Sequence, residues 1–241
     1  MPKKTIFDRG AVLRAALDVV RQFGWDALTA RAVAGRLGAS VAPVYSAFGS
    51  MEGLFRETLK EIRGLLEKYT AGSYSEIPFL NIGAGMVLFA RDEPMFFQAL
   101  FQRRHRFQDL VEDVDSSILS WMKSDASLGL LPDASRERLY DNIGFYTMGL
   151  AAAVAAGRLP DASADNIVRL LKNMGNIVMF AEVSSTADFD SPENKREWTR
   201  VIKEKNMRVS ASEKPVSRRT PDKQQAARRR AKRLSSMDTN K

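Results

Sequence analysis

The chain has 241 residues, room for one large domain or two smaller ones with a sizeable core. It has no cysteine, which excludes disulfides, thiol redox sensing, cysteine catalysis and thiolate zinc sites. The net charge of +8 is unevenly spread: residues 1–70 carry 11 Lys+Arg against 7 Asp+Glu, residues 71–194 carry 10 against 17, and residues 195–241 carry 16 against 5. A mildly basic start suits phosphate binding, the acidic middle is expected to face away from nucleic acid, and the tail supplies most of the excess. No apolar run is long enough to span a bilayer without charges or polar breaks. The opening Met1-Pro-Lys-Lys-Thr-Ile-Phe-Asp8 lacks the apolar stretch of a secretory signal, so a cytoplasmic protein with no membrane partner is expected.

In chain order, the first predicted helix runs from Arg9 to Phe23, with Val12, Ala15, Ala16, Val19, Val20 and Phe23 on one face and Gly24 closing it. Trp25 and Leu28 are expected to seal the following loop onto the core. Thr29 to Phe48 then reads as two short helices hinged at Gly38. Thr29 can cap the first with its side-chain oxygen, and Ala32, Val33 and Leu37 give it a buried stripe. Gly38 accepts the left-handed conformation of a tight helix exit. Ser40 is placed to cap the second helix, where Val41, Val44, Tyr45 and Phe48 fall on or near the inward face. Two short helices joined at a fixed angle by three residues are the pattern of a DNA-reading helix-turn-helix, and residues 40–46 are expected to carry discrimination. Ser50 caps a longer helix carrying Leu54, Phe55, Leu59, Ile62, Leu65 and Leu66 to about Tyr69.

The run Gly24…Leu28-Thr29…Val33-Ala34…Gly38-Ala39-Ser40…Val44-Tyr45…Phe48…Leu54 resembles the DNA-binding domain of the TetR (tetracycline-repressor-like) family of bacterial transcription regulators over roughly residues 9–66. The resemblance implies an all-α homodimer, with an N-terminal helix-turn-helix domain followed by a helical ligand-binding and dimerisation domain. It implies an operator of double-stranded DNA, contacted through Thr29, Arg31, Ser40, Val41, Ala42, Pro43, Val44, Tyr45 and Ser46, with Thr29 and Tyr45 reaching phosphates. Val41, Ala47 and Met51 depart from the family, which commonly has a basic or polar residue, a His and a Lys there. Several ordinary phosphate contacts should therefore be missing. With Val41, Ala42 and Val44 offering only apolar contacts, thymine methyls and DNA shape are expected to matter more than hydrogen bonds.

The remainder reads as helices over about 78–91, 94–104, 107–124, 135–156 and 163–184, with Ser191-Pro-Glu193 opening a last amphipathic piece. Boundaries are expected at 1–70, 71–209 and 210–241, the last a basic disordered tail centred on Arg228-Arg-Arg-Ala-Lys-Arg233. Six phenylalanines crowd residues 79–107, followed by Trp121. They read equally as plain core or as the lining of a pocket for an apolar or aromatic effector, which the resemblance implies, with Phe89, Phe97, Phe101, Trp121 and Phe145 as candidate contacts. Small residues, among them Gly144, Gly149, Ala152 and Ala153, let the long helix near residue 150 approach its neighbours closely. The resemblance implies that the last two long helices build a four-helix bundle across a dimer.

No cofactor is expected. The one histidine, His105, lies in Arg103-Arg-His-Arg106, and no His/Asp/Glu spacing supplies a metal site or marks a partner serine. An enzyme is therefore not expected. The remaining rival is an architectural or RNA-binding protein acting mainly through the basic tail.

Overall fold

The computed structural model describes residues 7–103, 118–120, 122–124, 128–185, 196 and 200, and among them every regular element is helical. Eight helices are α1 (Arg9–Phe23), α2 (Ala30–Leu37), α3 (Ala42–Phe48), α4 (Met51–Thr70), α5 (Pro78–Asp92), α6 (Pro94–Phe101), α7 (Asp133–Ala155) and α8 (Ala164–Ser185). Short 3-10 turns occupy Trp25–Ala27 and Leu128–Leu130, and residues 118–120 and 122–124 are helical. The chain divides into two compact units, Met1–Thr186 and Ala187–Lys241. Of the second, only Arg196 and Arg200 are described, both helical. His105, Phe107, Trp121, the last predicted amphipathic piece apart from Arg196 and Arg200, and the basic tail lie outside the described residues.

Local chemistry places the helix ends. The Asp8 carboxylate accepts from the Ala11 amide at 2.6 Å and opens α1. Thr29 Oγ1 accepts from the Ala32 amide at 3.2 Å and opens α2, and Ser50 Oγ accepts from the Gly53 amide at 3.0 Å and opens α4. Gly38 sits at φ 60°, ψ 35°, the left-handed exit predicted for the turn between α2 and α3.

One core runs through the first unit. Val12, Val19 and Val20 of α1 meet Val33, Val44, Leu54, Leu59 and Ile62 from α2, α3 and α4. The same cluster continues through Val87 and Phe89 of α5, Phe96 and Phe97 of α6, Ala151 of α7 and Ile167 of α8. Trp25 is half-buried against Phe55 at 5.5 Å between ring centroids, and Leu28 is buried, so the loop after α1 is sealed as expected. Phe23 departs from the expectation. It is 61% exposed, with the Arg36 guanidinium 5.6 Å from its ring centroid, because the last turn of α1 extends past the core.

Helices α2 and α3 are tied to the later ones by α1 and α4. Arg21 of α1 donates to both carboxylate oxygens of Glu93, at 2.8 and 3.0 Å, and its guanidinium lies 4.8 Å from the Phe96 ring centroid. Tyr69 near the end of α4 donates to Asp92 at 3.2 Å. Hydrogen bonding from Arg91, helped by Tyr69, holds the Asp92 carboxyl below the usual carboxylate range despite partial burial. Beside these groups α4 and α5 approach closely. A Cβ at Gly85 would run into the Tyr69 carbonyl, a backbone group with no room to move. Gly85→Ala is therefore expected to destabilise the protein by about 1–3 kcal/mol, read as a lowered thermal midpoint.

Candidate nucleic-acid interface

The surface of interest is built on two anchors. Val44 is wholly buried and Phe48 nearly so, and together they seat α3 on α1 and α4. That seating leaves Val41 38% and Tyr45 46% exposed, with Ala42 and Ser46 also at the surface. Pro43 is half-buried. Val41 and Tyr45 thus turn outward rather than inward, and Val44 offers no surface to a base, so it leaves the set of expected contacts. Thr29, Arg31 and Ser40 are exposed near the same helix pair, and Thr29 is also the α2 cap.

Ser40 does not cap α3. The helix opens on Val41, whose backbone is already right-handed α (φ −71°, ψ −13°), and no side chain caps it. A cap donates nothing itself and takes an amide two or three residues on. Pro43 stands three residues after Ser40 and has no N–H to give. The first turn closes instead through the Val44 amide on the Val41 carbonyl at 3.1 Å.

The far end of α3 is held by a residue distant in sequence, which local spacing does not mark. Arg9, in the first turn of α1, donates from Nη1 to the Ala47 carbonyl at 3.0 Å and stacks over the Phe48 ring at 4.4 Å. Its Nη2 lies 3.3 Å from Glu57 of α4. Lys60 also donates to Glu57, at 2.9 Å, and the two cations, Lys60 first, hold that carboxyl below its ordinary range against the burial that raises it.

A cavity of about 310 Å³ lies beyond the helix-turn-helix, lined by Arg63 and Leu66 of α4, Phe79, Ile82 and Met86 of α5, Leu100 and Phe101 of α6, Ile118, and Tyr140, Ile143, Gly144 and Thr147 of α7 among others. Of the predicted ligand contacts among the described residues, only Phe101 lines it. Phe89 and Phe97 are wholly buried in the core, Phe89 edge-on to Tyr69 and Phe97 beside Phe101. Phe145 is 76% exposed, because α7 turns Gly144 and Thr147 toward the cavity and Phe145 away from it. Trp121 is not described. Gly144 faces the cavity and Gly149 the open surface, where a Cβ would meet nothing within 4 Å.

Two short helices meeting at a left-handed glycine, the first capped by Thr29 and the second with an outward face, have the arrangement of a helix-turn-helix. Residues 12–58 match the family model described as bacterial regulatory proteins, tetR family. The fold is similar to that of a TetR-like transcriptional regulator from Rhodococcus sp. RHA1, at 19% identity over 73% of this chain and 96% of that one, with a TM-score of 0.53. A second Rhodococcus sp. protein, assigned to the same regulator family, aligns at 17% identity over 71% and 98% of the two chains, with a TM-score of 0.50. No curated protein matches the chain. Residues 12–58 are thus similar to the DNA-binding domain of the tetR family, and the TetR-like fold extends through the helices that follow.

Proposed function

We propose that the protein is a ligand-responsive repressor that binds a near-palindromic operator as a homodimer. The observation that carries this reading is the division of α3 into a buried side, Val44 and Phe48, and an exposed side, Val41, Ala42, Tyr45 and Ser46. A helix so seated lays its open side in a major groove, with Thr29, Arg31 and Ser40 toward the backbone phosphates. Val41 and Ala42 give apolar contacts suited to thymine methyls. The functional boundary falls near residue 70, with DNA reading before it and ligand binding and dimerisation after it.

The dimer reading rests on α7 and α8. Phe145 (76%), Ile177 (63%) and Phe180 (66%) are exposed in the single chain, and a second copy would cover them. The effector reading rests on the cavity, at the small end of the usual range and largely apolar, whose wall includes Arg63 and Leu66 of the same helix that seats α3. A small apolar or aromatic molecule bound there would favour a spacing of recognition helices that fits the operator poorly, releasing DNA by population shift.

Selection of bound duplexes from a random-sequence pool tests the reading. A motif with two inverted halves is the expected result. Recovery of no enriched sequence, or of a single unrepeated half, would overturn the operator and its symmetry.

A further inference from the structure

We propose that Arg9 is a positioning residue for DNA reading, fixing the trailing end of the recognition helix α3 against α1 and α4. The proposal rests on the reading that α3 contacts bases. A helix of seven residues with no side-chain cap at its start is weakly held along its own axis. Val44 and Phe48 bury one side and so set its roll, but apolar burial is non-directional and permits sliding. Arg9 supplies directional constraint at the other end. One guanidinium makes three contacts at once: an N–H to the Ala47 carbonyl (3.0 Å), a face over the Phe48 ring (4.4 Å) and an ion pair to Glu57 (3.3 Å). These three partners belong to α3 and α4, so a single side chain of α1 locks all three helices in register.

Only a planar, multi-donor cation fits this duty. A lysine keeps the charge but cannot stack on the ring while donating in two directions. That separates the positioning role from the ordinary alternative for an arginine near DNA, a phosphate contact, in which lysine substitutes well. The Arg9 side chain is 56% exposed, so its ion pair adds little to global stability and its loss should leave the fold intact.

The experiment measures affinity of the full chain for two probes, the duplex motif selected by the wild type and a random duplex of equal length, across a salt series. Circular dichroism melts accompany each variant, and binding is measured well below its midpoint. Arg9→Lys, Arg9→Ala and Glu57→Gln are each expected to lower the ratio of selected to random affinity by about tenfold, the size of one lost base contact. The slope of log affinity against log salt should stay at the wild-type value. Glu57→Gln is the most telling variant, because removing a negative charge would raise both affinities if charge alone mattered. An unchanged ratio in all three variants would overturn the proposal. So would a wild-type ratio in Arg9→Lys together with a slope shallower by about 0.9 in Arg9→Ala, the signature of a lost phosphate contact. A wild type that selects no motif would take down the reading of α3 itself, and with it this role for Arg9.

Discussion

Ala42→Glu is expected to abolish binding to the selected motif while leaving the thermal midpoint at or above that of the wild type, whereas Val44→Glu is expected to lose both. The two positions are two residues apart on one helix and sit in opposite environments. Ala42 is exposed at the first residue of α3, where a carboxylate is favoured by the helix dipole. Placed in a groove between phosphates, the same carboxylate meets like charge, a penalty of several kcal/mol and so a loss of about a hundredfold or more. Val44 is wholly buried among α1, α2 and α4, and a charge there has no partner and no water. The N-terminal helices should then come apart at ordinary temperature. Gel shift and a melt on each protein check the pair. Wild-type affinity in Ala42→Glu would show that the exposed side of α3 is not the reading face.

The second large effect is expected at the dimer surface. Phe180→Glu should leave a folded monomer and raise the dimer dissociation constant by at least about a hundredfold. Ile177 and Phe180 are three residues apart on α8 and share a face, and both are about two-thirds exposed in the single chain. A two-fold interface uses each residue twice, so a charge at Phe180 is felt in both copies. Because Phe180 is exposed, its replacement costs the single chain little, and circular dichroism should be unchanged. Sedimentation at several concentrations reads the result, and affinity for the selected motif should fall with dimerisation. A wild type that sediments as a monomer at every concentration would contradict the dimer reading.

What was legible in the sequence is what is decided within a few residues. The caps at Thr29 and Ser50 bind amides three residues on, and the Gly38 exit depends on one glycine, so each is written locally. The buried stripe of α1 follows from helical spacing, except at Phe23, where the helix outruns the core. Ser40 has the residue type of a cap but does not act as one, since Pro43 three residues on has no amide to give. That signal was present in the sequence. Which of Phe89, Phe97 and Phe101 faces the cavity was not, since three aromatics on adjoining helices differ only in how those helices pack. The Arg9 clamp was equally hidden. Its bond to Ala47 spans 38 positions, and nothing in either neighbourhood announces it.

The central claim, that two copies of α3 read a duplex through its major groove, is tested most directly by base interference on the selected motif. Each thymine is replaced in turn by uracil, which removes only the major-groove methyl, and each guanine is methylated at N7. The account predicts interference in two clusters on one face of the duplex, centred one helical turn of about 10 base pairs, or a whole multiple of it, apart. At thymines facing Val41 and Ala42, the loss should be about tenfold or more. Uniform affinity across every major-groove change, with binding sensitive only to salt, would contradict it.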